Sequence, residues 1–154
     1  MRYTPVLGLL LLVSGCLSSA PVQPDDLELH VTIEVGGMSK EALTTKTIAW
    51  LLATVPGARF EVHEEANART IVGRGRTEFL AKNGAKVPCD YSLTVEIEDG
   101  RERLTFDDWI GQWGDFKPNP QPITEDPYAS EVRAKLVGLA NALESYLKAS
   151  PITR

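Results

Sequence analysis

Few side chains in this sequence could do chemistry. His30 and His63, with Glu61 and Glu65 near the second, supply the imidazole and carboxylate groups that hold metal ions. Such a site needs the two histidines on adjacent strands, and no ligand-spacing motif accompanies them. Solvent-facing strand histidines among ion pairs are the simpler account. Cys89 is a nucleophile only if a base lies close. Nothing in the spacing puts His63 there, and a small apolar residue at a strand start, after Pro88, explains it as well. Gly73-Arg74-Gly75 has the beginning of a phosphate-binding loop. The next glycine is missing, because position 78 is Glu78, and the segment reads as strand. No serine elbow, HExxH pattern or pair of acids completes a catalytic set. The sequence predicts no enzyme, no cofactor and no metal.

Two groups suit a partner instead. Arg74, Arg76, Arg101 and Arg103 alternate along two strands and offer guanidinium forks to a lipid headgroup or an acidic protein surface. The commoner use of such residues is cross-strand pairing, here with Glu28, Glu34, Glu61 and Glu96. Trp109, Trp113 and Phe116 fall between Asp107 and Asp126, a stretch that reads as irregular because of Pro118, Pro120 and Pro122. Long loops often carry function, and aromatic side chains anchor interfaces. Equally, the rings would seal an open end of the core.

The whole chain sets bounds on these readings. Its 154 residues are room for one ordinary domain. Sixteen basic residues against 21 acidic ones give a net charge of -5, a poor surface for nucleic acid. The hydrophobic share of 43% suits a folded domain. Two cysteines are too few for a disulfide scaffold or a four-ligand structural zinc site.

The N-terminal residues read as an address. Arg2 is followed by the apolar run Val6–Val13, then by Ser14, Gly15 and Cys16. That order describes a secretory signal, and the run is too short for a membrane span, which needs roughly 18 apolar residues. Val13-Ser14-Gly15-Cys16 resembles the lipobox of bacterial lipoproteins. The resemblance implies cleavage of residues 1–15, acylation of Cys16, and membrane attachment through it. Acyl chains anchor by about 0.8 kcal/mol per buried methylene. Leu17 stands where an aspartate would favour the inner membrane, so the expected place is the periplasmic face of a Gram-negative outer membrane. Residues 16–26, with Pro21 and Pro24, read as lipidated cysteine and tether.

The domain is expected over residues 27–149. Apolar residues alternate from Leu27 to Val35, the mark of a half-buried strand. Ser39 is a good helix cap, and Lys40 to about Val55 carries an apolar arc centred on Leu51 with Leu43, Ile48, Trp50, Leu52 and Val55. Four strands follow: around Phe60 and Val62, over 71–80, over 91–97, and through Leu104 and Phe106. Asn83-Gly84 and Asp99-Gly100 supply turns. Gly73 and Gly75 point inward and suggest close approach by another element. Asp126 caps a last helix with Pro127 at its first position. Val132, Leu136, Leu139, Leu143, Tyr146 and Leu147 line one face of it. The pattern predicts an α+β fold, β-α-β-β-β-β-α, one antiparallel sheet with helices on one face.

The run from Tyr91 to Trp109, together with Ser39–Leu43, Trp50-Leu51 and Ile71–Gly75, resembles a bacterial family of unknown function with a TATA-binding-protein-like fold, over about residues 28–110. The resemblance implies secreted proteins and lipoproteins and carries no established catalytic residues. The expected function is a non-enzymatic protein-binding or scaffolding module of the cell envelope. The alternative is a carrier of a lipid or other hydrophobic molecule, held between sheet and terminal helix near Tyr91, Leu139 and Leu143.

Overall fold

A computed structural model describes residues 27–55, 57–65, 67–114 and 119–149. The signal, Cys16, the tether and Phe116 lie outside the described residues. Strand β1 (Leu29–Glu34) comes from the first alternating run. Helix α1 (Lys40–Thr54) begins where the Ser39 hydroxyl accepts the Ala42 N–H at 3.3 Å. Four strands follow, β2 (Arg59–Glu64), β3 (Arg69–Leu80), β4 (Lys86–Glu98) and β5 (Arg101–Trp113). The turns before β4 and β5 place Gly84 and Gly100 at φ of +79° and +73°, a conformation that glycine adopts without strain. A short β6 (Asn119–Pro122) and helix α2 (Tyr128–Ala149) complete the order.

All pairings are antiparallel, and the sheet runs β1-β5-β4-β3-β2, with β6 on the distal half of β5. Both helices cover one face. Ile33, Ile71, Phe79, Leu93, Leu104 and Phe106 of the sheet are buried beneath Leu43 and Leu51 of α1 and Val132, Leu136 and Leu143 of α2. This is the expected fold class with a sixth strand added.

Four local expectations are corrected. The stretch 107–126 is not mainly irregular. Ser92 pairs with Asp107 but Asp90 with Ile110, so β5 holds one extra residue, a bulge, with Asp108 at φ 49°. The bulge reverses which residues face inward. Trp109, Gly111 and Trp113 then join the helix side, although strict alternation from Leu104 and Phe106 would point them out. The buried stripe of α1 is Leu43, Thr44, Thr47 and Leu51, while Leu52 is 60% exposed. Helix α2 starts at Tyr128 and not at Pro127. Asp126 still serves its first turn by accepting the Ser130 hydroxyl at 2.7 Å. On α2, Tyr146 is 38% exposed and Ala140 takes its place in the buried stripe.

Helix α2 also covers a strand edge. β2 spans only residues 69–74 of β3. Beyond it, Lys135 donates to the Glu78 carbonyl at 2.6 Å, and Glu131 accepts the Leu80 N–H at 3.1 Å. Glu131 and Lys135 pair with each other at 3.5 Å. One i,i+4 pair thus satisfies backbone groups that a neighbouring strand would otherwise take.

Candidate functional site

The two histidines do not meet. His30 lies on β1 and His63 on β2, at opposite ends of the main strand order. Four strand spacings separate them, about 19 Å. His30 bonds Thr105 at 3.0 Å and lies 3.3 Å from Glu28, and His63 lies 3.9 Å from Glu61. Among the described residues no three potential metal ligands gather. The thiol of Cys89 is fully buried on the helix side of β4, away from the outward-facing His63. Burial, then the neighbouring Asp90, pushes it up to about 12, so it stays protonated and unreactive near neutral pH.

Gly73 and Gly75 lie inside β3, not in a loop. A Cβ on Gly73 would stand 2.2 Å from the Phe60 ring, and one on Gly75 would stand 2.3 Å from the Tyr91 hydroxyl oxygen. The room the glycines make is thus filled by Phe60 and Tyr91. What remains between sheet and α2 is a cavity of about 90 Å³ lined by Tyr91, Leu136, Leu139, Thr77, Val55 and others. That holds a few waters at most, well short of the 300–1,000 Å³ typical of ligand pockets.

The aromatic residues divide. Trp109 is 2% exposed, beneath Arg133, whose guanidinium lies 5.5 Å from the ring centroid. Trp113 is half-buried and stacks edge-on against Phe79 at 5.2 Å and Tyr128 at 5.6 Å. Both rings close the end of the core under the start of α2, so neither is a free anchor.

The four arginines divide as well. Arg76 makes two hydrogen bonds to Asp90, Arg101 pairs with Glu98, and Arg103 lies 3.6 Å from Glu96. Arg74 has no ion pair among the described residues. It faces Arg59 directly across the β2–β3 pairing, and Arg59 has none either. Like charges set opposite each other destabilise a sheet. Sequence reasoning passed over Arg59, although its alternation with Glu61 and His63 marks it as outward. An open hollow of about 470 Å³ lies there, lined by Gly57, Arg59, Glu61, Val72, Arg74 and Ser92 among others. Val72, 38% exposed, gives it an apolar floor. This hollow is on the face that the helices leave bare.

One residue of chemical interest was missed altogether. Glu102 is fully buried on the helix side of β5, between Ile33 of β1 and Ile97 of β4. Its Oε2 accepts the Thr47 hydroxyl at 2.8 Å, and its Oε1 has no partner among the described residues. Burial pushes its carboxyl up to about 7, opposed in part by the Thr47 bond. Its place in the alternation with Leu104 and Phe106 was the available signal. Sealed from solvent, it is no general acid for an outside substrate.

No protein-family model and no curated protein matches the chain. Two solved structures share its fold. A TBP-like protein from Parabacteroides distasonis has a TM-score of 0.64 at 14% identity, covering 80% of this chain and 94% of that one. A DUF4468 family protein from Bacteroides ovatus has a TM-score of 0.56 at 14% identity, covering 87% and 93%. The fold is therefore TBP-like, and likeness at this identity speaks for the fold alone.

Proposed function

We propose that this chain is a membrane-anchored lipoprotein of the cell envelope with a non-enzymatic role, and that the bare face of its sheet binds a protein partner. The observation that carries the reading is the hollow at Arg59, Glu61, Val72, Arg74 and Ser92. Its two guanidinium groups are without ion pairs among the described residues, and its floor is apolar. That combination suits a peptide segment with an acidic side chain. Arg76, two residues along β3 from Arg74, is held by Asp90, and Arg101 and Arg103 on β5 pair with Glu98 and Glu96, which keeps the rest of the face in local charge balance. Anchorage rests on the Val13–Cys16 junction and its position after the apolar run. No described helix is long and apolar enough to cross a membrane.

Cross-linking in living cells with the native chain, followed by mass spectrometry, tests the reading. The expected result is one dominant envelope protein whose cross-link disappears in Arg74→Glu while the melting temperature does not fall. Cross-links indifferent to Arg74→Glu would overturn the site.

A further inference from the structure

Strand β2 ends the sheet and pairs only with β3. At the hairpin the Glu65 N–H donates to the Ala68 carbonyl at 3.0 Å. By antiparallel alternation, Arg59, Glu61 and His63 also turn their backbone groups to β3. Phe60, Val62 and Glu64 turn theirs to the open edge. The strand contains no proline, lysine or bulge to blunt that edge, and Val62 is 47% exposed.

An antiparallel second copy must match outward-turned residues with outward-turned residues. Four registers allow an overlap of three or more strand residues, with the two-fold axis at Phe60, Glu61, Val62 or His63. An axis at Phe60 sets Arg59 against Glu61 but calls on Ala58, whose N–H already donates to the Val55 carbonyl at 3.3 Å. An axis at Glu61 sets Arg59 against His63 and Glu61 against itself. An axis at His63 sets Glu61 against Glu65 and His63 against itself. Of the remaining three, only the axis at Val62 sets opposite charges together: Arg59 against the copy's Glu65, a pair that occurs twice, with Glu61 beside the copy's His63 imidazole. The same register stacks Val62 on Val62. It also gives Arg59, which faces Arg74 across β3, a carboxylate.

We propose that β2 is a self-association edge, through which two copies of this chain pair antiparallel about Val62 to continue one sheet across both molecules. Such an isologous contact closes on itself and leaves no further open β2 edge. The inference rests on the strand edge and not on the partner-binding reading, but the two share Arg59, so Arg74→Glu tests the hollow and the Arg59–Glu65 charge exchange tests the edge.

Sedimentation of the full chain, in density-matched detergent where it is acylated, tests it. The expected result is a concentration-dependent dimer that Arg59→Glu and Glu65→Arg each weaken by about tenfold or more. Combining the two reverses both charges and should restore the dimer to within about threefold of the original. A chain monomeric to about 1 mM would overturn the proposal, since even small specific interfaces associate below that. So would a dimer insensitive to the single changes, or one that the double change fails to restore. Circular dichroism spectra confirm that the variants are folded, and both substituted side chains are exposed.

Discussion

Glu102 makes stability depend on pH in an unusual direction. Its folded carboxyl, at about 7, lies above the ordinary value of 4.5. The native state therefore holds a proton that the unfolded chain releases. The resulting stabilisation is full below about pH 4.5 and is lost as pH rises through about 7. Asp107, also raised by burial and by Asp108, acts in the same direction. Glu64, Glu78 and Asp90 are held low by Arg69, Lys86 and Arg76, and their contributions vanish only as pH falls below the ordinary carboxylate range. Chemical denaturation should thus show a loss of about 2–3 kcal/mol between pH 5 and pH 8. Glu102→Leu should flatten most of that slope and be the more stable protein at pH 8. Thr47 can then turn its hydroxyl to a helix carbonyl, as Thr44 does to that of Lys40. An unchanged slope would mean that the proton sits elsewhere. The buried Cys89 thiol should resist alkylation in the native protein and react only once denaturant opens the core, as peptide mass mapping of position 89 would record.

At the scale of elements, the end of the core is held by rings that share contacts. Trp113→Ala removes edge contacts to both Phe79 and Tyr128 and should lower stability by about 2–4 kcal/mol in thermal unfolding. A melting temperature left intact would return Trp113 to the role of a free interface residue. Glu131→Ala should speed hydrogen exchange at the Leu80 amide, which loses its acceptor, with little change at Leu93 in the middle of the sheet. Most elements were legible in the sequence because each carries its own periodicity: the alternation of β1, β3 and β4, the cap at Ser39, and the glycines at the hairpin turns. The distal half of β5 was not, since a one-residue bulge at Asp108–Trp109 breaks the alternation after Phe106 and the prolines that follow make the stretch read as irregular. The buried face of α1 was misplaced for a related reason. Thr47 looks like a surface residue until the inward Glu102 gives it a buried partner. The candidate site was legible only in part. Arg74 could be named, but pairing decides which arginines remain available, and pairing depends on register.

For the whole molecule, the proposed anchor makes a simple prediction. The full chain should enter the detergent phase on phase partitioning, and Cys16→Ser should remain in water if that cysteine carries the lipid. The sheet order has another consequence. β2 to β5 follow one another as a meander, each strand beside its predecessor, but β1 pairs with β5 from the far end of the chain. Roughly 70 residues separate the partners, and at typical synthesis rates of 5–20 residues per second β1 waits several seconds before β5 exists. During that interval its apolar face, Leu29, Val31 and Ile33, has no sheet to join. The first strand made thus has to wait for the fifth. A chaperone that holds short alternating segments would be needed at that end of the protein before any other.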